Sequence, residues 1–121
     1  MSSPSANETW IIETGDAVIH KKAHAGVGNL TPLEKLIYRV WVADYGMRNA
    51  GDLATAADLY ANFQTEAAVL ANDLSLKATR EAFELPMADL QSQYFKRFDN
   101  ICDEIRYAQS LTYPSISIPN P

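Results

Sequence analysis

Cysteine, basic residues and long apolar runs are all scarce in this chain, and each scarcity removes a class of protein. With Cys102 as its one cysteine, no disulfide can form within the chain, which excludes a disulfide-stapled scaffold. Apolar runs break off after a few residues, far short of the roughly 20 that a bilayer-spanning helix needs, so no membrane segment is expected. Ten Lys and Arg against fifteen Asp and Glu give a net charge of −5. Direct nucleic-acid binding needs a concentrated basic patch to neutralise phosphates, and these ten cations are scattered, so it is not expected. The opening MSSPSANETW has neither the basic start nor the apolar stretch of a secretory signal, which makes the cytoplasm the expected compartment. No complete catalytic, metal or phosphate motif is present, and the expectation is a non-enzymatic protein without a cofactor.

What the chain does have is material for one core: 121 residues, 47% of them hydrophobic, read as a single helical domain over 1–121. Its best-marked element opens at Thr31, an N-cap followed by Pro32 at the first helical position and by Glu34, which completes a capping box. Leu33, Leu36, Ile37, Val40, Trp41 and either Asp44 or Tyr45 form an inward stripe. Val42, Ala43 and Met47 leave little polar surface opposite, so this helix is expected to run through the middle of the fold. Asn49 or Gly51 suits the left-handed residue that ends it.

Residues 1–8, rich in Ser, Pro and Asn, read as a flexible lead-in. Residues 9–25 read as a helix with Trp10, Ile11, Thr14, Val18 and Ala25 on one stripe; Gly15 weakens it, and two short strands turning at Gly15-Asp16 are the alternative. After the central helix, Asp52 caps a helix over 54–60 and another covers 63–74, with a break near Asn62 or none. Ser75 is expected to cap a helix over 76–84, and Pro86 to stop it. Met87, Leu90, Tyr94, Phe98, Ile101, Ile105 and Ala108 then recur at three and four residues along a long last helix. Residues 112–121, with three prolines in YPSISIPNP, read as an extended tail. The sum is an all-α bundle of about five or six helices.

Three groups of residues invite a chemical reading. Asp16, His20 and His24, four apart, would share a helix face as metal ligands; Lys21 and Lys22 beside them and the lack of a further His favour an exposed cluster near a helix C-terminus instead. Asp44, beside the apolar stripe, could be a desolvated base but is better placed to pair with Arg48 one turn on. Between Arg48 and Lys77 stand Asp52, Asp58, Glu66 and Asp73 with no basic residue, which nominates these four as a partner-binding face, and Asp99, Asp103 and Glu104 form a second acidic group. Cys102, beside Ile101 and Ile105, reads as a small core residue.

The segment LTPLEKLIYRVWVADYGMRNAGD resembles a family of small bacterial all-helical proteins typified by a DNA-mimic protein. Leu30, Pro32, Glu34, Tyr38, Val40, Trp41, Asp44, Asn49 and Gly51 carry the likeness, and ATREAFELP extends it, so that it covers residues 30–86. Arg48, Ala50 and Asp52 depart from the Asn, Gly and aromatic of the family's signature turn. The resemblance implies an all-α, non-catalytic protein whose surface carboxylates could imitate DNA phosphates and occupy a transcription regulator. Together with the charge, it points to an interaction module with an acidic face for a basic or DNA-binding protein partner, alone or as a homodimer. The alternatives are a metal-binding protein or metal-dependent enzyme using Asp16, His20 and His24, and a toxin-neutralising partner.

Overall fold

The computed structural model describes residues 4–112, and in them the chain is all-α: six α-helices and no strand. Helix α1 spans Pro4–Ala25, α2 Pro32–Ala50, α3 Leu53–Leu59, α4 Phe63–Asp73, α5 Lys77–Phe83 and α6 Met87–Thr112, with a single 3-10 turn at Val27–Asn29. The central role of α2 follows from its composition. Leu33, Leu36, Ile37, Val40, Val42, Ala43 and Met47 are all buried, and the helix packs against α1, α3, α4 and α6. The expected capping box is formed on both sides: Thr31 Oγ1 accepts from the Glu34 amide at 3.1 Å, and Glu34 Oε1 accepts from the Thr31 amide at 2.9 Å. Gly51, at φ 76°, closes the helix, and its N–H donates to the Gly46 and Met47 carbonyls.

Helix α1 is one continuous element of 22 residues, so the two-strand alternative does not form. Gly15 does not break it because its bare Cα is where Trp41 packs: a Cβ there would lie 2.7 Å from Trp41 Cγ, inside van der Waals contact. The helix also starts at Pro4, five residues before the expected boundary. Local composition suggested a lead-in, yet Asn7 is fully buried against α6, where its amide meets three charged groups. Residues 1–3 of the expected lead-in and 113–121 of the expected tail lie outside the described residues, and Thr112, expected in the tail, is the last residue of α6.

Three further boundaries differ from or sharpen the sequence reading. The break near Asn62 is real: the Tyr60 amide still donates to Ala56 O, but the backbone at Tyr60 is extended, and α4 restarts at Phe63. Ser75 does not cap α5. It sits at φ 60° as the left-handed residue that ends α4, with its own N–H on Asn72 O and the Leu76 N–H on Ala71 O, the two bonds of a Schellman motif. The first turn of α5 takes its cap from far along the chain, as Glu104 of α6 accepts from the Ala78 and Thr79 amides at 2.9 and 2.8 Å and from Thr79 Oγ1 at 2.7 Å.

Helix α6 lays Leu90, Tyr94, Phe98, Ile101 and Ile105 into the core as its periodicity predicts, while Met87 at its start is exposed. On α1 the stripe is realised by Ile11 and Val18, with Ala25 exposed. A close approach of backbones fixes α3 on α2. A Cβ at Gly46 would lie 2.7 Å from the Ala56 nitrogen and 2.8 Å from the Asp52 oxygen, so only glycine lets the first turn of α3 rest there.

Candidate functional site

Asp52, Asp58, Glu66 and Asp73 lie on the consecutive short helices α3 and α4, or at their ends, and they play different parts. Asp52 is the N-cap of α3, with Oδ1 accepting from the Thr55 amide at 2.8 Å. That backbone bond holds its carboxyl below the ordinary Asp range. Glu66 is engaged from α2: Arg39 Nε donates to Oε1 at 3.0 Å, and Arg39 Nη2 and the Tyr60 hydroxyl donate to the same oxygen. The Tyr60 bond first, and the Arg39 bond after it, lower the Glu66 carboxyl, whereas burial and the nearby carboxylate raise the Tyr60 hydroxyl. Asp58 and Asp73 are exposed and have no hydrogen-bond or ion-pair partner among the described residues. Leu59 and Val69, 49% and 57% exposed, sit on the same two helices.

The second acidic group is turned into the fold. Asp99 and Asp103 accept from Asn7 Nδ2 at 2.7 and 3.2 Å, Arg106 donates to Asn7 Oδ1 at 2.8 Å, and Glu104 caps α5. These carboxylates stitch helices together.

Asp44 pairs with Arg48 at 3.0 Å, as its spacing predicts, and also accepts from the buried Tyr94 hydroxyl at 2.7 Å. Burial raises its carboxyl above the ordinary value, against the opposing Tyr94 hydrogen bond and Arg48 charge. Tyr94 is pushed well up by its own burial and by Asp44. Arg48 is further held by Glu8 at 3.6 Å and lies 4.7 Å from the Phe98 ring centroid. The group ties α2 to α6 and, through Glu8, to α1. Cys102 is fully buried, and desolvation pushes its thiol up, as suits a core residue.

Asp16, His20 and His24 are exposed on α1, with the two imidazoles 4.3 Å apart between ring centroids and tilted by 59°. Among the described residues no group of three His, Cys, Asp or Glu side chains is placed to hold a metal ion. No helix among them is long and apolar enough to cross a membrane.

Sequence reasoning passed over a different constellation. Tyr38 and Tyr60 stand with ring centroids 5.7 Å apart and planes tilted by 56°, Trp41 stacks on Tyr38 at 6.3 Å, and Tyr45 continues the row at 5.6 Å from Trp41. Lys22 Nζ sits 5.0 Å above the Tyr38 ring and the Arg39 guanidinium 5.0 Å from that of Tyr60. Lys22, Leu30, Tyr38, Arg39, Leu59 and Tyr60 line a cleft of about 320 Å³ where α1, α2 and α3 meet. The one signal in the sequence was Arg39, a cation placed inside the apolar run Leu-Ile-Tyr-Arg-Val-Trp. Its side-chain partners lie 21 and 27 residues away, beyond any local pattern.

Among the described residues these features define a six-helix all-α bundle with a polar network on each side of its central helix. Comparison with known protein families, with curated proteins and with solved structures found no match.

Proposed function

We propose that the protein is a non-enzymatic interaction module of the cytoplasm, and that the outer surface of α3 and α4 receives a basic, partly apolar protein partner. The observation that supports this most is the pairing of unspent charge with exposed apolar surface. Asp58 and Asp73 have no internal partner among the described residues, no Lys or Arg intervenes between Arg48 and Lys77, and Leu59 and Val69 stand exposed on the same helices. Charge of one sign around apolar anchors steers encounter with a complementary surface and gives it an apolar centre to bury. A DNA-binding regulator is one partner of that chemistry. The support is for a local surface rather than a long row of phosphate-like charges, because Asp52, Glu66, Asp99, Asp103 and Glu104 already accept hydrogen bonds from within the chain.

The test is affinity capture with the full chain beside the Asp58→Lys/Asp73→Lys variant and a Lys96→Glu control. A partner held by this surface is retained by the chain and the control, lost by the double variant, and released as ionic strength rises from about 0.1 M to about 0.5 M. Identical captured proteins in all three, or capture indifferent to salt, would sink the proposal.

A further inference from the structure

The cleft lined by Lys22, Leu30, Tyr38, Arg39, Leu59 and Tyr60 shares Leu59 with the surface proposed above, but none of the free carboxylates of α3 and α4 lines it, and its chemistry has the opposite sign. Three properties set it apart. Its volume, about 320 Å³, is at the lower end of the range in which proteins hold small molecules. Its walls are two tyrosine rings, in contact with planes tilted by 56°, and two leucines, which give it an apolar lining. Its two cations are in different states.

Arg39 is fixed and neutralised. Its Nη1 donates to Lys35 O at 2.9 Å, its Nη2 to the Tyr60 hydroxyl at 2.6 Å, and its charge is matched by Glu66. It serves as a rigid edge of the slot. Lys22 is the reverse: its neighbour Lys21 is paired with Glu34 at 2.8 Å, but Lys22 has no carboxylate within ion-pair distance among the described residues and rests on the face of Tyr38. The Tyr38 hydroxyl likewise has no hydrogen-bond partner among them. An ammonium without an ion pair and an open hydroxyl therefore both border an apolar, aromatic-lined cleft.

We infer that this cleft binds a small organic anion with an apolar body, an aryl carboxylate or a molecule of that chemistry. The body rests in the cleft against Leu30, Leu59 and the open edges of the two tyrosine rings, and the anionic head takes the Lys22 ammonium and the Tyr38 hydroxyl. Glu66 does not oppose this polarity, because Arg39 and Tyr60 already occupy it, which leaves Lys22 as the charge that selects.

The probes are 2-naphthoate and its neutral isostere 2-naphthamide, titrated into the full isotope-labelled chain and followed by NMR. Naphthoate is expected to give saturable shifts centred on Lys22, Leu30, Tyr38, Leu59 and Tyr60, and to bind about tenfold more tightly than the amide, the difference one well-placed charge contributes. Lys22→Gln, which leaves the core untouched, should erase that preference by weakening naphthoate alone, while Lys22→Arg retains it. The Asp58→Lys/Asp73→Lys variant should bind naphthoate as the unaltered chain does, which separates this site from the partner surface. Equal affinity for the two probes, shifts centred elsewhere, no saturation, or a Lys22→Gln variant that still prefers naphthoate would each overturn the inference.

Discussion

Single residues in this protein are placed against their usual preferences, and those placements are where stability is most exposed. Gly46 in the interior of α2 looks like a weak point, since alanine there gains up to about 1 kcal/mol of helix propensity. The atoms nearest the position an alanine methyl would take are backbone atoms of Asp52 and Ala56, at 2.8 and 2.7 Å, and they cannot turn aside. Gly46→Ala is therefore expected to lower the unfolding free energy by about 1–3 kcal/mol in urea titrations, the cost of overpacking, with α3 displaced.

Asp44 is unusual in its titration. Its folded-state carboxyl is raised by burial above the ordinary 3.8, so its contribution to stability is complete below 3.8 and is lost as pH rises through the raised value. Asp44→Asn cannot titrate. The stability advantage of the unaltered chain over this variant should consequently be widest near about pH 3 and shrink toward about pH 6. An advantage that grows over that interval would show that the Arg48 and Tyr94 contacts, not desolvation, set the carboxyl.

Helices here begin and end by two kinds of rule, and only one of them is local. Thr31, Pro32 and Glu34 lie within four residues of one another, so the start of α2 was legible in the sequence; so were Asp52 as a cap and the stripe of α6. The different role of Ser75 has a physical origin: serine is a good N-cap by type, but the carbonyls ending α4 were in need of donors, and the Ser75 and Leu76 amides supply them. The left-handed backbone this demands costs a residue with a Cβ roughly 1–2 kcal/mol. Ser75→Gly should then raise the thermal midpoint, by an amount worth about 0.5–1 kcal/mol once the freer unfolded chain is counted. If Ser75 were a working N-cap of α5, the same change would be neutral or harmful.

At the scale of the whole molecule, the bundle is closed by contacts between its first and last helices. Asn7 on α1 meets Asp99, Asp103 and Arg106 on α6, 92 to 99 residues away, and Trp10 Nε1 donates to Gln109 at 3.3 Å. Composition alone made residues 1–8 a lead-in because Ser, Pro and Asn carry no periodic apolar signal. The force that holds the first turns of α1 in helix is tertiary and polar, invisible to a local reading. The aromatic cleft escaped for the same reason, as its walls come from α1, α2 and α3. The run of acids between Arg48 and Lys77 was legible as a charge pattern, but which of its carboxylates are free was not. Asn7→Ala is expected to destabilise by about 1–3 kcal/mol, through acceptors and a donor left unpaired in a part-buried seam. Asn7→Asp should be the worse of the two, since it sets a third carboxylate beside Asp99 and Asp103; chemical unfolding of the pair reads the order directly.

Glu104 carries a consequence in time as well as in space. Seven residues are too few for a helix to persist alone in water, and the first-turn amides of α5 are held by a carboxylate about 25 residues further along the chain. As the chain emerges from the ribosome, Lys77–Phe83 can already pack on α4, but its first-turn amides stay without this partner until α6 follows. Until then that stretch, with Ala82 and Phe83 that the finished fold buries, lacks about half of its cover.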